Sequence, residues 1–89
     1  MDKTTLKKLK ADAHALKPVV IVGAKELSDT VHQEIDLALD AHELIKIRIN
    51  ANDNEHRQQM INNICQQHQA TFIQKIGHVI TIYRLNLDK

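Results

Sequence analysis

The 89-residue chain is poor in the residues that cross-link, interrupt or decorate a fold: one cysteine, one proline, two glycines, one phenylalanine, one tyrosine and no tryptophan. A lone thiol, Cys65, cannot close an internal disulfide, and the expectation is a reducing, cytoplasmic setting. No apolar run approaches the roughly 18–20 residues of a membrane span. The lysine-rich start, MDKTTLKKLK, has no apolar stretch behind it and does not read as a secretory signal. Gly23, Gly77 and Pro18 are too few for a linker, and no repeat or low-complexity stretch is present. With 43% hydrophobic and 26% charged residues, the composition is that of a folded protein, and residues 1–89 are expected to form one domain. A chain this short buries only about 60–65% of its unfolded surface, so its core must be compact.

Charge is unevenly spread. Residues 1–25 hold six lysines against Asp2 and Asp12, whereas residues 26–45 hold six acids and no lysine or arginine. Residues 46–89 return to six basic and three acidic side chains, and the whole chain carries +1. Segregation of this kind lets one face meet an anion while the molecule stays near neutral, although solvated faces of small domains also segregate charge.

The punctuation falls between periodic segments. Thr4 or Thr5 can cap a first helix with Leu6, Leu9, Ala13 and Leu16 at helical spacing, ending near Leu16 because Pro18 disfavours helix before it. Val19-Val20-Ile21-Val22 reads as a strand buried on both faces, broken by Gly23. Ser28 or Asp29 can cap a second helix whose inner stripe is Val31, Ile35, Ala38, Leu39 and His42 and whose outer face collects acids. Ile45, Ile47 and Ile49 alternate with Lys46 and Arg48 in a half-exposed strand, and residues 50–54 form a turn and capping cluster. A third helix carries Met60, Ile61, Ile64, Cys65 and His68, and residues 71–76 and 79–85 read as a hairpin around Gly77-His78. The fold class is therefore α/β, in the order α-β-α-β-α-β-β, with a four-stranded mixed sheet packed by helices.

Three separated blocks resemble a known family. Leu9-Lys10 with residues 13–23 (AHALKPVVIVG), residues 42–47 (HELIKI) and residues 76–84 (IGHVITIYR) are similar to the CRM domain, the chloroplast RNA splicing and ribosome maturation module. Stand-alone YhbY-type proteins represent it in bacteria, and the likeness covers about residues 5–85. The resemblance implies a fold like the C-terminal domain of a translation initiation factor, RNA binding, and association with precursors of the large ribosomal subunit. It also implies a Gly-x-x-Gly loop between first strand and second helix, as in KH domains. Here that loop is Gly23-Ala24-Lys25-Glu26, so the second glycine is replaced by a carboxylate that adds bulk and negative charge where phosphates would lie.

The loop opens a helix, where unpaired backbone N–H groups and the positive dipole end point outward. Gly23 can take the positive φ of a tight turn, Lys25 can supply a phosphate charge, and Ser28 follows as a cap. Lys7, Lys8, Lys10 and Lys17 could extend a basic surface along the first helix, or simply flank an apolar stripe. Arg84 and Lys75 could add charge near the ends of the hairpin. Phe72 and Tyr83 lie in apolar strands where core packing is the default, so any RNA contact should use phosphates, sugars and shape rather than stacking.

Catalysis finds little support. The six histidines are scattered, Cys65-x-x-His68 lacks a second ligand pair, and Ser28 with His32 has no orienting partner. No enzyme activity, metal or cofactor is expected, and the chain is expected to be a monomer. The competing expectation is a protein-interaction module that docks a basic ribosomal protein through its acidic second helix, RNA affinity having been lost through Glu26.

Overall fold

The computed structural model describes residues 1–23 and 27–86. Helix α1 (Lys3–Ala13) begins at Asp2, whose carboxylate accepts the Thr5 N–H at 2.7 Å. The cap therefore lies before the two threonines expected for it, because Asp at this position also satisfies the dipole. That hydrogen bond, chiefly, holds the Asp2 carboxyl below the usual carboxylate range. The helix stops three residues short of Leu16, and a turn in which the Leu16 N–H reaches the Ala13 carbonyl (3.0 Å) leads towards Pro18.

Strand β1 (Pro18–Val22) is followed by α2 (Asp29–His42), β2 (Leu44–Ile49), α3 (Asn54–His68), β3 (Thr71–Ile76) and β4 (Val79–Tyr83). Ser28 caps α2 and Asp53 caps α3. With glycine scarce, α2 and α3 end on Glu43 (φ 63°) and Gln69 (φ 52°), where a glycine would be usual. The sheet order is β1-β2-β4-β3, with β1 parallel to β2 and β4 antiparallel to both β2 and β3. Strands β1, β2 and β3 thus share one direction. Right-handed crossovers then put α2 and α3 on the same face of the sheet.

That face is closed by isoleucine. Ile45, Ile47 and Ile49 of β2 and Ile80 and Ile82 of β4 are at most 1% exposed, against Ile35 and Leu39 of α2 and Met60, Ile61 and Ile64 of α3. Helix α1 instead packs on β2 and β3, burying Leu9 and Ala13 outside this cluster, on the face that α2 and α3 leave free.

Three expectations are corrected. Strand β1 is buried on one face only: Val20 and Val22 are buried, whereas Val19 and Ile21 are 52% and 61% exposed. The cause is its edge position, beyond the strands that α1 covers. His42 is exposed at the last turn of α2 rather than on its inner stripe. Phe72 is 44% exposed, because the ring opposite Ile82 lies on the other edge strand, next to a register shift between Phe72 and Gln74.

Candidate nucleic-acid interface

Three strands with one direction deliver their carboxyl ends to one end of the sheet, and both crossover helices begin there. In open α/β sheets this is where ligands bind, because strand ends and helix starts leave backbone donors unpaired. The end is stitched by backbone bonds from the Asn50 N–H to the Val22 carbonyl (3.0 Å) and from the Ile49 N–H to the His78 carbonyl (2.7 Å). Gly23, the Asn50–Asp53 turn and the Gly77-His78 turn are thereby brought together.

Gly23 is exposed, and a Cβ built on it would touch nothing within 4 Å. Its φ lies outside the left-handed region; the positive-φ glycine is Gly77 (φ 61°), in the hairpin turn. The expectation of a left-handed Gly23 is therefore corrected. Neither crowding nor turn geometry demands glycine there, and what its missing side chain leaves is open access from outside. Ala24, Lys25 and Glu26 lie outside the described residues. Ser28 caps α2 through a hydroxyl that accepts the Val31 N–H at 3.2 Å, so this helix start is satisfied by a neutral group.

Two arginines that sequence reasoning did not assign to a site stand at this end. Arg48 is exposed and its Nε donates to Asn50 Oδ1 at 3.0 Å. Arg57 is only 8% exposed: Nη1 lies 2.9 Å from His78 Nδ1, Nη2 donates to Asn54 Oδ1, and the buried Nε has no acceptor. Among the described residues no carboxylate forms an ion pair with either. His78 Nδ1 also lies 3.1 Å from the Ile49 carbonyl, so this nitrogen either accepts from Arg57 or donates to Ile49, according to the tautomer. Three acids temper this positive field: Asp29 in the first turn of α2, Asp53, whose carboxylate accepts the His56 N–H at 3.3 Å, and Glu55 in the first turn of α3.

The opposite end is self-paired. Arg84 donates to Asp36 and Asp40 at 2.8 Å each and to the His68 carbonyl at 3.3 Å, and the Asn86 N–H donates to Glu43 Oε2 at 2.8 Å. Arg84 is thus committed inside the molecule rather than free to extend a basic surface. The same bonds tie up two of the acids expected to dock a basic partner. The Arg84 hydrogen bond holds the Asp36 carboxyl below its ordinary value, and burial, helped by His32, pushes the His68 imidazole down. His68 Nε2 lies 2.9 Å from His32 Nδ1, and its Nδ1 faces Asp36 at 3.7 Å. With the His68 proton on Nδ1, towards the carboxylate, Nε2 accepts from His32.

The remaining candidates are dispersed. Lys7, Lys8 and Lys10 are exposed on α1, and Lys17 is exposed just before β1. Lys17 stands at the other end of β1 from Gly23, about 20 Å away at about 3.3 Å per residue. Lys75 is exposed on β3. Cys65 is half-buried and burial pushes its thiol up, which suits a small apolar side chain rather than a nucleophile. Ser28 and His32 are spent on the α2 cap and on His68, so they do not face one another as a pair. Among the described residues no three His, Cys, Asp or Glu side chains are placed to hold a metal ion, and no helix is long and apolar enough to cross a membrane.

A mixed four-stranded sheet with two crossover helices on one face, a glycine at the end of β1 and arginines outside any ion pair beside it defines a small α/β domain. Residues 1–84 match the CRS1 / YhbY (CRM) domain family, and the chain belongs to it. It is 43% identical over 76 residues to an RNA-binding protein of Haemophilus influenzae, covering 85% of this chain and 77% of that one. It is 35% identical over 80 residues to a probable RNA-binding protein of Pseudomonas aeruginosa, covering 90% and 77% respectively. The solution structure of a hypothetical protein of Staphylococcus aureus superposes with a TM-score of 0.83 at 23% identity, over 97% of this chain and 90% of that one, which establishes a shared fold.

Proposed function

We propose that this protein binds RNA, mainly through the phosphate backbone, at the carboxyl end of its sheet. The observation that carries the reading is membership of a family whose relatives at 43% and 35% identity are named for RNA binding. The geometry supports it: open access at Gly23, a neutral cap on α2, and the cations Arg48 and Arg57 without carboxylate partners. The contacts we assign are Gly23, Ala24, Lys25 and Ser28 at the loop, with Lys7, Lys8, Lys10 and Lys17 of the basic amino-terminal segment as an outer ring. The proposed target is ribosomal RNA in precursors of the large subunit, met in the cytoplasm by a monomer that leaves the finished particle.

Affinity measured against salt tests the electrostatic part. If about four phosphates are neutralised, log affinity falls against log salt with a slope of roughly −3; a slope near zero overturns it. Replacing Lys8, Lys10 and Lys25 together by Ala should weaken binding to all sequences about equally, and unchanged affinity means another face is used. Sedimentation of tagged protein on a gradient that resolves subunits and their precursors tests the target. Equal occupancy on mature translating ribosomes would replace assembly by translation.

Glu26 bears on the same reading. Its carboxylate lies close in sequence to the α2 N-terminus and opposes a phosphate there, so Glu26→Gly should raise RNA affinity by about 1 kcal/mol, the scale for removing one exposed like charge. Glu26→Gln separates charge from bulk. If only Gly raises affinity, backbone approach was the obstacle; if neither does, the loop does not touch RNA.

A further inference from the structure

We infer that the open half of the sheet's second face is a docking surface for an acidic, amphipathic polypeptide segment of another protein. Strand register places two rows of side chains across this face. One row runs Ile21, Arg48, Val79, Ile76 and the next Pro18, Lys46, Thr81, Gln74, each crossing all four strands. The intervening positions of β2 and β4 are the buried isoleucines of the opposite face. Helix α1 packs on β2 and β3 further along, where Thr81 is buried and Lys46 and Gln74 half-buried, but in the first row Ile21, Arg48 and Ile76 are exposed and Val79 is half-buried. Ile21 is 61% exposed, Ile76 64%, and neighbouring Val19 52%.

Scattered exposed aliphatic residues are ordinary, but here exposed Ile21 and Ile76 bracket Arg48 and Val79 in one cross-strand row, and apolar side chains gathered on a sheet face mark an interaction site. With strands about 4.8 Å apart the row is about 14 Å wide, room for one helix of roughly 10–12 Å diameter. Its apolar ends flank Arg48 in the first row, and Lys46 stands about 6.6 Å along the same strand. Neither row contains an acid, and among the described residues neither cation is in an ion pair. The surface is therefore complementary to a segment that sets aliphatic side chains on Ile21 and Ile76 and carboxylates on Arg48 and Lys46.

Other occupants fit less well. A second copy stacked face to face about a two-fold axis would set Arg48 and Lys46 against their own counterparts. RNA would find no aromatic ring in either row to stack on, and would lay phosphates over half-exposed isoleucines. Arg48 also borders the proposed RNA site, so Lys46, which lies outside that site, separates the two, and the inference survives if the carboxyl-end site fails to bind RNA.

A photo-crosslinking residue placed at Ile76 of the full chain, in cells, with mass-spectrometric mapping of the product, tests it. The expected product is a protein joined through a segment in which Asp or Glu alternate with aliphatic residues at helical spacing. Lys46→Glu, at a residue outside the proposed RNA site, should lower the yield about tenfold, and Lys in place of the segment's acids should restore it. Ile21→Ser, at a position already 61% exposed, should lower capture without moving the Tm, so loss of yield is separable from unfolding. A synthetic peptide of the mapped segment should then bind the purified protein, and bind the charge-reversed variant about tenfold less. Crosslinking to RNA or to another copy of this chain overturns the proposal. So does a yield no higher than from the crosslinker at Leu37, 69% exposed on α2, or a product indifferent to charge reversal.

Discussion

The two ends of the sheet carry arginines in opposite circumstances. At the amino ends of β2 and β3, Arg84 is gripped by Asp36, Asp40 and two helix carbonyls. At the carboxyl end, Arg48 has an asparagine and Arg57 has an asparagine, a histidine ring and a buried Nε without an acceptor. Helix dipoles explain part of this. Arg84 sits where α2 and α3 end and a cation is favoured, whereas the other two sit where helices begin and a cation is not. A buried guanidinium without a carboxylate contributes little to stability. Paired charge at one end holds the fold together, whereas at the other Arg57 is buried and the exposed Arg48 is outside any ion pair.

Ile47 lies at the middle of β2, between the two ends, and fixes the scale: Ile47→Ala should cost roughly 2–5 kcal/mol in urea unfolding, from lost burial and the cavity left behind. Arg84→Ala should come next, at about 1–2 kcal/mol, since its side chain is 19% exposed and its carboxylate partners are more than half exposed. RNA affinity should stay unchanged in that variant. If Arg57→Met costs as much as Arg84→Ala, the contrast between the ends is wrong; we expect it within about 1 kcal/mol of wild type.

Acid should act through the paired end. The folded state lowers the His68 pKa, so the unfolded chain takes up more protons as pH falls through the ordinary histidine range near 6.5. Stability should be full above that range and decline as pH drops through it towards the lowered folded value. The lowered Asp36 carboxyl adds stability that is present above its ordinary value of 3.8 and lost as pH falls through its folded value. Urea midpoints between pH 8 and 5 should therefore fall, and His68→Gln should flatten the profile. A flat profile in the unsubstituted protein removes the His32–His68–Asp36 account. The smallest effect on stability belongs to the open end: Gly23→Ala meets no neighbour and should shift unfolding by only a few tenths of a kcal/mol to about 1 kcal/mol, in the stabilising direction. If RNA approaches there, the same change should weaken binding, about tenfold for a loss near 1.4 kcal/mol.

Alternation and helical spacing determined the elements, because Ile45, Ile47 and Ile49 or Met60, Ile61 and Ile64 can be buried together in only one kind of backbone. Crossover handedness then determined the mixed sheet, and the three sequence blocks determined the family. Pairing order was another matter. That β1 is an edge strand, that Phe72 is exposed and that Arg84 is consumed by Asp36 and Asp40, 48 and 44 positions away in the chain, depend on how separate segments meet. Local pattern reports which face a side chain takes, not what stands opposite it. For the same reason Lys7, Lys8, Lys10 and Lys17 stood out in the sequence as a run of charge. Arg48 and Arg57 acquire meaning only where strand direction carries β1, β2, the start of α3 and the Gly77-His78 turn to one end of the sheet.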